Sequence, residues 1–144
     1  MLKDEITSDN EQIIDVLELK GNKSYNEARF DFQRLIQDNG KIKVCTYRLL
    51  GILMGNTYQR NQIFNSFDLV IFDEAHKIID YSKKFDTATD NTYSNVINNL
   101  INFAKRSLFI CLTATPQLLD KQIEKMGKEV SHIYSYVLSE SAHC

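Results

Sequence analysis

The sequence predicts an α/β fold with a mostly parallel sheet flanked by helices. Short apolar runs alternate along the chain with segments that carry apolar residues at helical spacing, which is typical of parallel strands joined by crossover helices. Two of these runs, residues 68–73 and 108–112, are continuous, as expected for strands buried on both faces. A length of 144 residues suits one domain, so we expect a single domain over residues 1–144.

The first half of the chain predicts strands and helices in alternation. Residues 13–19 fit either a strand or the end of a helix, and a capping box at residues 24–27 predicts a helix that ends near residue 40. Residues 42–46 predict a short strand, and residues 48–54 a brief helix.

The second half predicts one long crossover helix between the two apolar strands. Residues 81–90 are polar and are predicted as a loop, after which Asp90 can cap the helix. Its apolar face would carry Tyr93, Val96, Ile97, Leu100, Ile101 and Ala104. A helix over residues 117–126 should end at Gly127, and residues 133–138 alternate as an edge strand does.

Composition excludes some classes of protein. The net charge of −2 and pI of about 5.9 exclude a compact basic module that binds nucleic acid mainly through bulk positive charge, but not contact through a local groove. Cys45, Cys111 and Cys144 lack zinc-ligand spacing, and the first two are predicted to be buried thiols. With no leader pattern or membrane-length apolar run, we expect a cytoplasmic protein without membrane contact.

Two adjacent carboxylates, Asp73 and Glu74, follow the first apolar strand. Ligands of α/β sheets bind beyond the carboxyl ends of the strands. Nucleotide hydrolysis needs Mg²⁺ to neutralise phosphate charge and a group that orients or activates water. Acidic residues also suit the start of a helix, so the pair by itself fits both interpretations.

The residues around this carboxylate pair favour a nucleotide site over the start of a helix. Asp73-Glu74-Ala75-His76 after Leu69-Val70-Ile71-Phe72 resembles the Walker B signature (motif II) of superfamily 2 helicases of the DEAD/DEAH type. The resemblance implies a RecA-like fold in which Asp73 holds Mg²⁺ through water and Glu74 is the catalytic base. It also implies that His76 couples the γ-phosphate of ATP to the rest of the motor.

A second signature follows the next apolar strand. Thr113-Ala114-Thr115-Pro116 looks like motif III of the same superfamily, which links nucleotide state to nucleic-acid binding. The resemblance gives this coupling role to Thr113 and Thr115. A threonine-rich turn would explain the string equally well in isolation, but its place one crossover helix after motif II favours motif III.

Two further segments, one before motif II and one after motif III, resemble the family more weakly. Residues 44–50 resemble the motif Ib region, in which the threonine contacts the nucleic-acid backbone, so Thr46 and Arg48 are candidate phosphate contacts. A capping threonine and a solvated arginine explain the same residues equally well. Residues 127–142 are similar to the end of the first motor domain in restriction-enzyme motor subunits.

The phosphate-binding part of the family pattern is not in this sequence. No G-x-x-x-x-G-K-[ST] string occurs, and Gly21-Asn22-Lys23-Ser24 is a poor substitute because Asn22 separates the glycine from the lysine. We therefore expect an incomplete RecA-like sheet that lacks the N-terminal P-loop strand. Its exposed strand edges would be covered by the N-terminal segment, by another chain, or by the rest of a longer protein.

Three functions remain open from the sequence. The first is an ATP-dependent helicase or translocase domain that uses Mg²⁺ and acts on nucleic acid, with DNA favoured over RNA. The second is a truncated, non-catalytic remnant that binds a partner or is inert without a chain that carries a P-loop. The third is an unrelated α/β domain with chance motifs, in which Asp73 and Thr113 would not converge at one edge of the sheet.

Overall fold

The computed structural model describes residues 16–19, 32–37, 42–130 and 132–134. The predictions for residues 13–15, 24–31 and 135–138 lie outside this part of the chain. The elements in chain order are β1 (Val16–Leu19), α1 (32–37), β2 (Ile42–Cys45), α2 (Tyr47–Met54), α3 (Thr57–Ser66), β3 (Leu69–Phe72), α4 (His76–Phe85), α5 (Thr92–Asn98), α6 (Leu100–Arg106), β4 (Leu108–Cys111), a 3₁₀ turn (Pro116–Leu119) and α7 (Asp120–Gly127).

The strands form parallel ladders, which confirms the predicted fold class. Within the described residues β1 pairs with β2 and β3 pairs with β4, as two separate two-stranded sheets. In the second ladder Leu69 lies opposite Leu108 and Phe72 opposite Cys111. Parallel strands flanked by helices match a partial RecA-like fold. No helix in the described ranges has the length and apolar character needed to cross a membrane.

Aromatic rings fill the core between the β3–β4 ladder and the helices. The Phe72 ring meets those of Phe103 and Phe109 edge to face, with centroids 5.5 and 4.9 Å apart. Phe64 of α3 packs against Phe103 in the same manner at 4.9 Å. Aliphatic side chains from α2, including Leu49 and Leu53, complete this core. The strand that precedes the carboxylate pair is therefore anchored through its inward-facing phenylalanine.

The loop predicted for residues 81–90 is wrong over its first half. Helix α4 continues to Phe85, because its apolar residues have partners that the local pattern does not reveal. Ile78 is buried, and the Tyr81 ring lies 5.4 Å from the Tyr93 ring of α5. Two lysines in the last turn add favourable interactions with the helix dipole.

The single crossover helix is also a wrong prediction, since α5 and α6 are separated at Asn99. The Asn99 side chain is buried and donates to the Asn95 carbonyl oxygen at 2.7 Å, while Asn102 donates to Asn99 Oδ1 at 3.0 Å. Such local bonds compete with regular helix geometry. The predicted cap is off by one residue: Asn91 is the N-cap and makes no side-chain cap bond, while Asp90 before it accepts from the Thr92 N–H at 3.1 Å.

Burial of β3 and β4 on both faces is a third wrong prediction. Leu69 and Ile71 keep 50% and 45% of their surface exposed, and their cross-strand partners Leu108 and Ile110 keep 66% and 37%. These four residues form one side of the ladder, which we call the open face. Residues two apart on a strand share a face, and the described helices pack on the opposite one. Cys111 is likewise exposed rather than buried, and Cys45 is only partly buried.

Candidate functional site

The loops that follow β3 and β4 meet at the carboxyl edge of their ladder. The Leu112 N–H donates to the Phe72 carbonyl oxygen at 2.9 Å, and the Ala75 N–H donates to the Leu112 carbonyl oxygen at 2.9 Å. These bonds extend the strand pairing beyond the strand ends. The predicted motif II segment, residues 73–76, is therefore held against the predicted motif III segment, residues 113–115.

A side-chain contact joins the two segments directly. His76 Nδ1 lies 2.8 Å from Thr113 Oγ1, and either group can donate, depending on the histidine tautomer. The same Thr113 oxygen accepts from the Thr115 N–H at 3.0 Å. His76 and Thr113 are both half-buried, so water competes only partly for these bonds. This convergence contradicts the interpretation of the motifs as chance strings in an unrelated domain.

Asp73 and Glu74 lie exposed at this edge, in the turn between β3 and α4. Glu74 has a φ of 48°, in the left-handed region that non-glycine residues rarely adopt. Such a conformation costs about 1–3 kcal/mol and is found where the surrounding structure or function maintains it. Because both carboxylates are exposed beyond the end of the strand, they can bind a solvated metal ion or a water molecule.

Lys77 pairs with Glu74 one helical turn later. Lys77 Nζ lies 2.6 Å from Glu74 Oε2. The hydrogen bond from Lys77, followed by its positive charge, lowers the pKa of the Glu74 carboxyl below its usual value. Glu74 is therefore ionised at neutral pH. Sequence reasoning did not select Lys77, although its i, i+3 spacing from an acidic residue is a recognisable signal.

Tyr47 is the second residue that sequence reasoning did not select. Its hydroxyl donates to the Asp73 carbonyl oxygen, and its ring packs edge-on against Phe72 with centroids 5.3 Å apart. Desolvation by burial raises the pKa of Tyr47, with the charges of Cys111 and Asp73 adding to it, so the hydroxyl remains a donor. Tyr47 begins α2, so it links the end of β2 to the carboxylate turn.

The two candidate nucleic-acid contacts flank Tyr47. Thr46 caps α2, because its Oγ1 accepts from the Leu49 N–H at 3.2 Å, as the capping interpretation predicts. Its side chain is exposed, and the hydroxyl hydrogen can still be donated. Arg48 is half-buried; hydrogen bonds from Thr92, with the Arg48 charge in addition, lower the pKa of Asp90. Tyr47 connects this segment to the backbone of the carboxylate turn, through the Asp73 carbonyl oxygen.

Thr115 has a different environment from Thr113. Its Oγ1 atom is buried and finds no hydrogen-bond partner among the described residues. An unpaired buried hydroxyl costs about 1–3 kcal/mol. Pro116 then starts a 3₁₀ turn, and the regular helix begins only at Asp120. Motif III therefore contains one bonded threonine side chain and one without a partner in this part of the chain.

The carboxylate pair fits a nucleotide-borne metal better than a dedicated protein cage. The described ranges contain no group of three or more His, Cys, Asp or Glu side chains that could hold a metal ion. Mg²⁺ in nucleotide sites is commonly held by one or two carboxylates together with water and phosphate oxygens. Asp73 and Glu74 can supply those carboxylates, and the phosphates would come from the nucleotide.

The family model described as "Type III restriction enzyme, res subunit" matches residues 3–118. The match extends over most of the chain and includes the whole segment from β2 to Thr115. The chain belongs to the ResIII family. ResIII domains are of the superfamily 2 helicase type, which confirms the resemblance stated from the motifs. Comparison with curated proteins and with solved structures gives no match.

Family membership establishes the general class of this ResIII chain. It is a member of a helicase-like motor family whose domains generally use ATP with Mg²⁺ and interact with nucleic acid. The roles assigned to Asp73, Glu74, His76, Thr113 and Thr115 stay predictions at the level of individual residues.

Proposed function

We propose that this ResIII chain provides the metal-and-water half of the ATP site of a helicase or translocase motor. The observation that carries the proposal is the 2.8 Å contact between His76 Nδ1 and Thr113 Oγ1, made beside two exposed carboxylates at the carboxyl edge of a parallel ladder. Asp73 would hold Mg²⁺ through water, and Glu74 would activate the attacking water.

The state of Glu74 supports its role as a base. A carboxylate must be ionised to accept a proton, and Glu74 is ionised at neutral pH. The ion pair with Lys77 lowers the pKa of Glu74 further, so Glu74 becomes a stronger base once the pair separates. Both partners of this ion pair are substantially exposed, at 41% and 56% of their side-chain surface. Exposed pairs are weakly held, so an incoming nucleotide can separate Glu74 from Lys77. Mg²⁺, when bound, would neutralise phosphate charge in the same place.

The contact between motif segments supports a coupling role for His76, Thr113 and Thr115. A change at the γ-phosphate that moved His76 would move the Thr113 hydroxyl, and with it the Thr115 backbone. The unpaired Thr115 hydroxyl could then bond to a group that arrives only in another state of the motor.

The nucleic-acid contact is proposed for Thr46 and Arg48. The hydroxyl and guanidinium groups are both able to bind backbone phosphate. The intervening Tyr47 bonds to Asp73, which places this segment next to the proposed metal site. DNA is favoured over RNA because of the similarity to restriction-enzyme motors.

The lack of a P-loop string supports a second candidate function, that of a non-catalytic binding module. It contains no G-x-x-x-x-G-K-[ST] string, so the backbone cradle for the phosphates would have to come from another polypeptide or from further sequence. Calorimetry with Mg²⁺ and ATP discriminates between the two functions. Binding to the chain alone tighter than about 0.1 mM, or about −5.5 kcal/mol, would count against the non-catalytic function.

Glu74→Gln tests the catalytic assignment. We expect steady-state ATP hydrolysis to fall about 10²- to 10⁴-fold while ATP binding is retained, because the amide cannot take the proton from water. Glu129→Gln is the matched control, since Glu129 forms an equivalent 2.6 Å ion pair with Lys105 away from the site. Turnover that is measurable and equal in the two variants, with the polypeptide that supplies the phosphate cradle present, would exclude Glu74 as the base.

A further inference from the structure

Two peptide units meet at the Cα atom of Glu74, the residue with a φ of 48°. Each unit is a rigid plane, so the φ and ψ angles of Glu74 describe how one plane is turned relative to the other. Because the Cα atom is chiral, the two planes also determine the direction of the Cα–Cβ bond. The groups that hold both units therefore determine how the Glu74 side chain leaves the backbone.

The second unit, from Glu74 to Ala75, is bonded at both ends. The Ala75 N–H donates to the Leu112 carbonyl oxygen, and the Glu74 carbonyl oxygen accepts from the Lys77 N–H, both at 2.9 Å. Leu112 directly follows β4, and Lys77 lies in the first turn of α4. The neighbouring strand end and helix therefore fix the orientation of this unit.

The first unit, from Asp73 to Glu74, is held by Tyr47. The Tyr47 hydroxyl donates to the Asp73 carbonyl oxygen, and no other hydrogen bond to this unit is found within the described residues. The side chains on either side restrain it little, since both are exposed and an ion pair such as that of Glu74 with Lys77 is weak at a surface. The left-handed conformation of Glu74 therefore depends on one hydroxyl group from another element.

Tyr47 is firmly placed for this contact. Its ring packs edge-on against Phe72 with centroids 5.3 Å apart. It begins α2, which Thr46 caps and which buries Leu49 and Leu53 in the core. Burial raises the pKa of Tyr47, so the hydroxyl keeps its proton at neutral pH. A donor on a packed helix holds its acceptor more precisely than a donor on a loop.

We propose that Tyr47 is a positioning residue of this site, whose hydroxyl holds the Asp73–Glu74 peptide unit and thereby gives the Glu74 carboxylate its direction. A base takes part in hydrolysis only when it lies within hydrogen-bond reach of the water that it activates. Tyr47 acts through the peptide unit and does not contact the reacting atoms. Its role in hydrolysis rests on the proposed function of Glu74, whereas its effect on the Glu74 backbone does not.

Tyr47→Phe tests the effect on the backbone, because it removes the hydroxyl and keeps the ring. A residue with positive φ gives a strong nuclear Overhauser effect between its own amide and Hα protons, since these protons lie closer together than at negative φ. On the ¹³C,¹⁵N-labelled full chain without nucleotide, we expect this strong effect at Glu74. The variant should lose it, because a residue other than glycine prefers negative φ once the first unit can turn. The Asp73 carbonyl carbon should shift as its hydrogen bond is lost.

Contacts that do not involve Tyr47 provide the controls. In the variant, the Ala75 amide should keep its slow exchange and His76 its ring ¹⁵N shifts, because their partners are Leu112 and Thr113. Tyr58→Phe removes an exposed hydroxyl from α3 and should leave the Glu74 signals unchanged. A weak Overhauser effect at Glu74 in the unmodified chain, or a strong one that persists in Tyr47→Phe, would overturn the proposal. So would equal changes at Glu74, Ala75 and His76, which would indicate general loosening.

ATP hydrolysis, measured with the polypeptide that supplies the phosphate cradle present, tests the positioning role. We expect Tyr47→Phe to lower kcat about 10- to 100-fold with little change in KM, because a misplaced catalytic group has an effect of this size while other groups bind the nucleotide. An unchanged kcat in a variant whose Glu74 backbone has changed would overturn this role. Unchanged turnover in Glu74→Gln would instead overturn the proposed function, and the NMR result on the backbone would stand.

Discussion

The Thr113 hydroxyl is the point at which the two motif segments of this ResIII chain meet. One oxygen atom lies 2.8 Å from His76 Nδ1 and accepts the Thr115 N–H at 3.0 Å. Because a hydroxyl can donate one hydrogen bond and accept others, it can serve both neighbours at once. Replacing this hydroxyl by a methyl group should therefore weaken the contact between the segments with little change in side-chain volume.

Thr113→Val should remove the side-chain contact between the two segments while the backbone bonds at Leu112 remain. We expect the free energy of unfolding to fall by about 0.5–1.5 kcal/mol, the net contribution of a typical hydrogen bond, and the ¹⁵N shift of His76 Nδ1 to move. Urea unfolding and histidine NMR measure these two effects. Thr89→Val, in an exposed loop, is the control and should change neither quantity. An unmoved His76 resonance would show that the contact is not formed in solution.

The residues of the candidate site could be predicted from the sequence, but most of the contacts between them could not. Asp73, His76 and Thr113 were selected from two short strings that resemble motifs II and III of superfamily 2 helicases. The bond from Tyr47 to Asp73 could not be predicted, because the two residues are 26 positions apart. It depends on how the end of β2 lies beside the end of β3, and no local pattern encodes that.

Asp86 joins two elements, the end of α4 and the start of α5. Its carboxylate accepts from the backbone N–H groups of Tyr93 and Ser94 at 3.1 and 2.8 Å. The hydroxyls of Ser94 and Ser82 add bonds at 2.6 and 3.1 Å. Burial by itself would raise the pKa of Asp86, but these hydrogen bonds outweigh it and lower the pKa.

Asp86→Ala should destabilise the chain by about 0.5–2 kcal/mol at neutral pH, as the loss of a helix cap does. The folded-state pKa lies below the unfolded value of about 3.9, so this stabilisation is present above pH 4 and is lost as the pH falls through the folded pKa. Urea unfolding of both proteins between pH 2 and 7 measures it. A difference that stays constant over this range would exclude the ionised carboxylate as its source.

The contact between α2 and α5 depends on Gly51. A Cβ atom at this position would lie 2.2 Å from the Thr92 carbonyl oxygen, far inside contact distance. Gly51→Ala should cost about 1–3 kcal/mol, as overpacking does, although alanine favours helices. Gly127→Ala is the matched control, since a Cβ atom added there would meet nothing within 4 Å, and it should stabilise the chain by up to about 1 kcal/mol. Equal thermal denaturation midpoints for the two variants would contradict this packing.

The predictions of elements were right where a local pattern determined the structure. Strands β2, β3 and β4 and helix α2 were predicted close to their observed bounds. Helix α3 was not predicted, because only Ile63 and Phe64 are buried in it and no apolar stripe forms; Asn56 caps it. The break at Asn99 depends on bonds between asparagine side chains and the backbone, which hydrophobic spacing does not report.

At the scale of the whole molecule, the described residues form part of an α/β domain, with two separate parallel ladders. Parallel sheets are normally covered on both faces, yet the open face of the β3–β4 ladder keeps Leu69 and Leu108 at 50% and 66% exposure. Continuous apolar runs are typical of strands that are buried on both faces. The sequence therefore predicts a parallel sheet, but it does not predict that the described residues cover only one face of the β3–β4 ladder.

Paramagnetic broadening by Mn²⁺, which shares the oxygen-ligand preference of Mg²⁺, tests the central claim most directly. With Mn²⁺ and ATP added to the ¹⁵N-labelled chain, we expect the amide signals of residues 73–76 and of Thr113 to broaden. Asp73→Asn should abolish the effect, while signals near Asp86 and Asp90, a second pair of acidic side chains, should stay sharp. Broadening centred on Asp86 and Asp90, or none at residues 73–76, would contradict the assignment of this edge as the metal-and-water half of an ATP site.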